Sequence, residues 1–370
     1  MEITILKEKI KNTLSLVERV SGKKSGLSIL DKFLISTKKQ NQIEIKATDL
    51  EIGYTCYLPA QVEEDGKVVL PIKVFNDFIN RFQEEVLKLR LKENNLEIIG
   101  KNSYSLIPTS DPEDFPIIPQ TSRDKKISLN FSDFQDAIKR LLPILKSSEL
   151  KPELNGLYIY LDNNEFKMVA TDSFRLAEKT FEKGKFKTEE KNMSLYIPKR
   201  IIQELSNLKI SKEAEVFIYF DENQVEFEVD NNFLITRLIN LEYPKYQEII
   251  PKDFNIIFTI NFQEIYDGVN LNKVFASKIN EVTFSFKDNE LLCETKNELL
   301  GENRVILKPK IIKKEVEDFK IGFNIDFFLD GLDSVKDDEV LIGFNDNEKP
   351  SLLKNPKEKD FFYILMPIYV

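Results

Sequence analysis

Residues 166–181 read FKMVATDSFRLAEKTF, and residues 43–58 read IEIKATDLEIGYTCYL. In both, an alternating apolar run enters a polar Ala-Thr-Asp turn and a second alternating run leaves it. That pattern predicts strand, turn, strand. A weaker third copy, LLCETKNELLGENRVI, occupies residues 291–306. Self-similarity at a fixed period decides architecture before any single element does.

The repetition extends outward from the turns. Upstream lie ITILKEKIKNTLSLV from Ile3, ISLNFSDFQDAIKRLL from Ile127 and FTINFQEIYDGVNLN from Phe258, at offsets of 124 and 131 residues. Each opens as a strand and becomes an amphipathic helix. Leu6, Ile10, Leu14 and Val17 in the first, and Phe134, Ile138, Leu141 and Leu145 in the second, fall at spacings of three and four. Downstream, LPIKVFNDFINRF, IPKRIIQELSNL and FNIDFFLDGLDSV predict a strand tip feeding a second helix, and strand-rich tails with ENN, DEN and DNE turns come after them. Agreement of order and spacing at four places sets aside chance likeness between Lys/Ile/Asn-rich segments. The fold class is α+β, with three repeated domains of one topology rather than a parallel βαβ sheet. The polar stretches at 121–125 and 251–255 place the domains at 1–122, 123–252 and 253–370.

Composition narrows the function. The 370 residues include no histidine and two cysteines, Cys56 and Cys293. A disulfide framework and any histidine base are excluded, and a Cys/His zinc site nearly so. A carboxylate metal site stays open. The N-terminus is charged from its second residue and no run reaches membrane-spanning length, so the expected location is cytoplasmic, with no membrane partner.

The net charge of −9 argues against phosphate binding, but the average hides a split. The six expected helices, 6–20, 72–83, 131–147, 198–209, 262–278 and 325–336, together carry +4. The first four are each net positive, the fifth is balanced and the sixth carries −2. Basic helices on an acidic body suit sequence-independent contact with phosphates. Solvated helix faces of no function would show the same counts.

The threefold repeat, ELNGLYIYL before the central turn, ATDSFRLA within it, YPKYQEIIP after it and the terminus FYILMPIYV resemble the bacterial DNA polymerase III beta subunits, the sliding clamps. The likeness covers the whole chain. It implies a head-to-tail homodimeric ring with helices lining the hole and sheets outside. The ring would encircle double-stranded DNA without sequence preference, have no catalytic residues and need no cofactor. Its partners would be the polymerase III alpha subunit, the clamp loader and other proteins carrying a clamp-binding motif, tethered at high effective concentration.

The resemblance also implies sites. The partner-peptide pocket maps to Leu154, Thr171, Ser173, Phe174, Arg175 and Leu176, then Pro244, Glu248, Ile249 and Ile279, then Pro350, Ser351, Ile364, Met366, Pro367 and Ile368. Aliphatic and Met walls with a few polar handles suit a short peptide. Three positions depart from the family: Ser173-Phe174 stands for Gly-His, Glu248 for a basic residue, and Tyr369 for Arg. Tyr104 and Leu106 would meet Val274 and Phe275 across the dimer contact. Lys24 falls in a loop near DNA, and Lys151 is the one basic residue of the loop before LNG. Lys73, Arg81, Lys139, Arg140, Lys199 and Arg200 join them by helix placement.

Two rival readings compete. Asp49 and Asp172 occupy equivalent turns and could serve a metal-dependent nuclease, although an Asp there more often bonds its own backbone. A repeat scaffold that binds proteins and never DNA would suit the acidic charge.

Overall fold

The computed structural model describes residues 1–22, 26–145, 154–162, 164–287, 289–317 and 319–369. Among them are six α-helices: α1 (Lys7–Val20), α2 (Ile72–Arg81), α3 (Phe131–Leu141), α4 (Lys199–Ser206), α5 (Phe262–Asn272) and α6 (Ile325–Ser334). Two fall in each repeat, at the expected places. In α3, α5 and α6 an asparagine closes the strand and caps the helix. The Oδ1 atoms of Asn130, Asn261 and Asn324 accept from the amides of Asp133, Glu264 and Phe327, each at 3.1 Å. The expected 131–147 helix stops at Leu141 because Pro143 cannot continue it. Leu6, expected in the buried stripe of α1, is instead its N-cap and 53% exposed, whereas Ile10, Leu14 and Val17 are fully buried.

The chain folds as two compact units, with the division falling inside α3. The first holds Met1–Gln135, Phe186–Glu190 and Arg200–Asn240. Its five-stranded sheet runs, in spatial order, Gln61–Glu64, Glu2–Leu6, Val86–Lys92, Asn95–Ile99, Tyr104–Pro108. Its nine-stranded sheet runs Phe186–Thr188, Lys125–Asn130, Glu215–Phe220, Gln224–Val229, Asn232–Arg237, Ile52–Pro59, Gln42–Thr48, Lys32–Lys38, Lys67–Pro71. The second unit holds Asp136–Lys185, Lys191–Lys199 and Leu241–Val370. Its nine-stranded sheet runs Met193–Pro198, Gly156–Asp162, Glu165–Thr171, Arg175–Phe181, Phe361–Leu365, Ser351–Lys354, Glu339–Phe344, Ile256–Asn261, Lys310–Lys314. Its four-stranded sheet runs Gly301–Leu307, Glu290–Asn297, Glu281–Lys287, Phe319–Asn324.

The repeats are therefore visible as topology, but the sheets run through their boundaries. In the first unit, Asn232–Arg237 of the central repeat pairs antiparallel with Ile52–Pro59 of the first, with Leu234 opposite Tyr54. In the second, Arg175–Phe181 pairs antiparallel with Phe361–Leu365 of the third repeat, with Leu176 opposite Ile364. Pairing a strand across the boundary satisfies a row of backbone donors and acceptors that an edge would leave open. No helix among the described residues is long and apolar enough to cross a membrane.

The repeated turn has one side-chain bonding pattern. Asp49 Oδ1 accepts from the amides of Glu51 at 3.0 Å and Ile52 at 2.8 Å. Asp172 Oδ1 accepts from Phe174 at 3.0 Å and Arg175 at 3.1 Å. Asn297 Oδ1 accepts from Leu299 at 2.9 Å and Leu300 at 3.2 Å. The acid or amide replaces missing ladder bonds at the strand reversal. It also holds Leu50 and Ser173 in the left-handed region, at φ 75° and 78°.

Removing Asp49 leaves two amides and the Arg200 guanidinium, which ion-pairs to Oδ2 at 2.8 Å, without their acceptor. Asp49→Ala is expected to lower stability by about 2 kcal/mol, read as a reduced urea midpoint at unchanged slope. Asp49→Asn, which keeps Oδ1, should lose less.

Candidate functional site

The central turn differs from its copies in the residues after the aspartate. Phe174 projects outward, 58% exposed, and its carbonyl accepts from the Met366 amide at 2.7 Å. Arg175 points inward, its side chain wholly inaccessible. The guanidinium donates through Nε to Asp172 Oδ2 at 2.9 Å and through Nη1 to Asp330 Oδ2 at 2.5 Å. Nη1 also reaches the Tyr363 hydroxyl at 3.4 Å, and Nη2 donates to the Pro143 carbonyl at 2.7 Å. The group lies 4.2 Å from the centre of the Phe327 ring. Burial opposes its charge, but the Tyr363 oxygen and the carboxylates of Asp330 and Asp172 outweigh that and raise its pKa further.

Arg175 is thus corrected from pocket wall to internal strut. It ties the central turn to the segment after α3, to α6 and to the strand Phe361–Leu365. Gly331 permits the close approach this needs, since a Cβ there would sit 2.7 Å from the Tyr363 ring. Tyr363 in turn donates to the Phe327 carbonyl at 2.8 Å. Neither Phe327 nor Asp330 was expected from the sequence. Their only signal was helical position, which does not distinguish a neighbour of the turn from any other residue of α6.

The remaining pocket residues sort by exposure. Leu154, Thr171, Leu176, Ser351 and Ile364 are buried and form the floor rather than the surface. Ladder pairing sets Leu176 opposite Ile364, Ile364 opposite Leu352, and Ser351 opposite Leu365. Met366, Pro367, Ile368 and Pro350 are half-buried, while Ser173, Pro244, Glu248, Ile249 and Ile279 are exposed. The terminal segment is held at two amides: Met366 to Phe174, and Ile368 to the Gly322 carbonyl at 2.8 Å. Ile279 is held near the start of α6, where the Asn280 carbonyl accepts from the Ile325 amide at 2.7 Å.

The YPKY stretch places Pro244, Glu248 and Ile249. Tyr243 stacks on Tyr158 at 4.4 Å, nearly parallel. The Tyr246 hydroxyl bonds Tyr160 at 2.7 Å and donates to the buried Glu178 carboxylate in a short contact. Burial and then the Glu178 charge push the Tyr246 phenol far above its ordinary pKa, so it stays a donor. Tyr158 and Tyr160 are two residues apart on one strand and share a face, so the two linker tyrosines fix the connection along it.

The residues proposed to face DNA divide sharply. Lys24 and Lys151 lie outside the described residues. Lys73, Arg81 and Lys139 are exposed. Lys199 is half-buried at the start of α4. Arg140 is a correction. Its guanidinium grips Glu358 at 2.8 and 2.7 Å, donates to the Ser334 carbonyl at 2.5 Å, and lies 3.6 Å from the Phe361 ring centre. Arg200 is likewise engaged, by Asp49 and by the Arg19 carbonyl at 3.1 Å. Charge counting cannot separate such struts from free cations.

At the dimer positions, Tyr104 and Leu106 are 59% and 53% exposed on an edge strand of the first unit's five-stranded sheet. Val274 is 66% exposed and Phe275 half-buried in the 3-10 turn after α5. In the second unit, Gly301–Leu307 is the edge of the four-stranded sheet, with Ile306 and Leu300 exposed. Among the described residues no group of three or more His, Cys, Asp or Glu side chains is placed to hold a metal ion. Asp49 and Asp172 are occupied by their own turns and by arginines, so neither offers a ligand set.

Family models for the DNA polymerase III beta subunit match residues 1–119 (N-terminal domain), 128–245 (central domain) and 247–369 (C-terminal domain). The chain belongs to this family. It has the three-domain clamp fold, and its function is that of a non-catalytic DNA sliding clamp in replication. The beta sliding clamp of Staphylococcus epidermidis is 28% identical over 385 residues, spanning 100% of this chain and 99% of that protein. The DNA polymerase III beta subunit of Pseudomonas aeruginosa superposes with a TM-score of 0.93 at 20% identity, covering 100% of both chains. The Helicobacter pylori beta clamp, solved with a DNA ligase peptide, gives 0.88 at 25% identity, again covering 100% of both.

Acidification tests the Arg140 strut. Burial would raise the Glu358 pKa, but hydrogen bonds from Arg140 and Lys179 hold it at about 2, below its ordinary 4.5. The unfolded chain therefore takes up this proton first as pH falls. The stabilisation is complete above the ordinary carboxylate pKa and is lost as pH falls towards about 2. Glu358→Gln should be less stable than the parent at neutral pH and should show a flatter loss of urea midpoint between about pH 5 and about pH 3.

Proposed function

We propose that two copies of this chain close head to tail into a ring around double-stranded DNA. The ring tethers the polymerase III alpha subunit, the clamp loader and other proteins bearing a clamp-binding motif. Domain limits at 1–122, 123–252 and 253–370, and a cytoplasmic location, belong to the same reading. The observation that carries it is a pair of open sheet edges. Tyr104–Pro108 bears exposed Tyr104 and Leu106, and Gly301–Leu307 bears exposed Ile306, with exposed Leu300 next to it in the chain and exposed Val274 in the turn after α5. An exposed apolar edge is a template for another strand, and two unlike edges on one chain pair heterologously.

The partner site in this reading is the surface around Phe174, with Ile249, Ile279 and the terminal Met366–Ile368 above the buried Leu176 and Ile364. An apolar patch with fixed backbone anchors suits a short peptide from a tethered enzyme. The Helicobacter pylori clamp, bound to such a peptide, supports the assignment. Arg175 acts beneath this surface and keeps Phe174 against the terminal segment.

Topology separates a clamp from an ordinary binder. Loaded on a nicked circle, the ring should survive high salt and leave when the circle is cut. Equal retention on both forms would reject the ring, because electrostatic binding ignores topology and weakens with salt. Deleting residues 366–370 removes the Met366 and Ile368 anchors. A folded dimer that has lost at least tenfold in affinity for a clamp-binding peptide by fluorescence anisotropy is expected, about 1.4 kcal/mol.

A further inference from the structure

The two repeat boundaries carry the same parts in different places. In the first unit, residues 115–118 read FPII; in the second, residues 243–246 read YPKY. The leading rings, Phe115 and Tyr243, are both buried. The sheet beneath is equivalent too, with Gly53 opposite Ile235 in the one and Leu176 opposite Ile364 in the other. The fourth residue of each segment lands differently. Ile118 packs directly on Gly53, where a Cβ would lie 2.5 Å from Ile118 Cγ2 and 2.8 Å from Ile235 Cγ2. At the second boundary the Leu176 side chain stands in that position, and the Tyr246 hydroxyl meets the Glu178 carboxylate instead. Glu178 is two residues along the strand from Leu176, on the same face and about 7 Å away.

Glu178 is buried, and both of its oxygens are engaged. Oε2 accepts from the Tyr246 hydroxyl in a short contact. Oε1 accepts from Thr180 Oγ1 at 3.2 Å and lies 3.5 Å from Lys167 Nζ. A phenol has one hydrogen, and Tyr246 gives its own to Glu178, so it accepts from the Tyr160 hydroxyl at 2.7 Å. Hydrogen bonds to a charged acceptor are the stronger kind. In the first unit Thr55 takes the place of Glu178 and Ile118 that of Tyr246, so no such bond can form there.

We propose that Glu178, with Tyr160 behind the shared hydroxyl, is a positioning residue of the partner-peptide surface. By holding Tyr246 it seats the turn Tyr246–Ile249 beside the Leu176–Ile364 floor rather than across it, and so sets Ile249 as a wall of that surface. The first boundary shows the outcome without the bond: the linker residue packs straight onto the sheet. The inference rests on the partner-site reading and names residues that shape the site without touching the peptide.

The test uses the full-length chain and a fluorescein-labelled peptide carrying the clamp-binding motif of the polymerase III alpha subunit, read by anisotropy. Tyr246→Phe, which removes only the hydroxyl, is expected to weaken binding about tenfold. Glu178→Val removes the acceptor and should lose as much. The Tyr246→Phe/Glu178→Val double should lose no more than either single, since both act through one bond. Glu178→Gln keeps an oxygen acceptor and should lose less than about threefold. Native dimer mass and retention on a nicked circle should stay at the parent's level in Tyr246→Phe. Unchanged peptide affinity in Tyr246→Phe overturns the inference even if its urea midpoint falls, because the bond then serves stability alone. Losses that add in the double variant, or equal losses in Glu178→Gln and Glu178→Val, overturn the hydrogen bond as the cause. Loss of the dimer together with the peptide overturns a local positioning role. A parent protein that does not bind the peptide rejects the partner-site reading itself.

Discussion

The second unit is organised around one buried charge. Arg175 is among the largest fully buried side chains in the chain, and a lone guanidinium in that position would be prohibitive. It persists because Asp172, Asp330, the Pro143 carbonyl and the Tyr363 hydroxyl receive its hydrogens and Phe327 covers one face. Removing one partner of such a pair costs about 3–5 kcal/mol, far more than an exposed pair contributes. That asymmetry makes it a locating device. The turn, α6 and the terminal strand can each occupy only the position at which the guanidinium is satisfied.

The three copies of the turn show how one local structure yields different outcomes. All three use a side-chain oxygen to accept from the second and third amides beyond it. In the first copy Ile52 stands where Arg175 stands in the second, and the aspartate's free oxygen is met by Arg200 from α4. In the third, Asn297 carries no charge, Leu300 takes the arginine's place and is exposed, and Gly301 comes next at φ 104°. The copies therefore close a junction between repeats, build the floor of an apolar surface, and end in an open edge. The sequence difference is a few residues, while the functional difference is set by the groups each turn packs against.

Much of the architecture is legible in the chain alone. The strand–turn–strand repeats, the six helices and their order arise from periods of two and of three to four, which are local properties of the chain. Pro143 accounts for the end of α3, and the asparagine caps for the starts of α3, α5 and α6. Less legible is the role of individual charges. Arg140 and Arg200 lie on helices counted as basic, yet each is consumed by a carboxylate distant in sequence, Glu358 and Asp49. Lys9, Lys11 and Lys209 carry the same formal charge and are free among the described residues. Leu154, Ser351 and Ile364 belong to the expected pocket set but lie beneath its surface.

By itself the sequence determined the repeat, the class of fold, the absence of histidine chemistry and the family resemblance. Each rests on residue identity and short-range spacing. Only the tertiary structure decided that sheets continue across repeat boundaries, that Arg175 is a strut, and that Phe327 and Asp330 stand beside the central turn. Those outcomes depend on which groups meet across long stretches of chain, as Arg175 and Asp330 do from 155 residues apart. A charge or an aromatic ring has no fixed role until desolvation and its partners supply one, and neither is a property of the residue or of its neighbours in the chain.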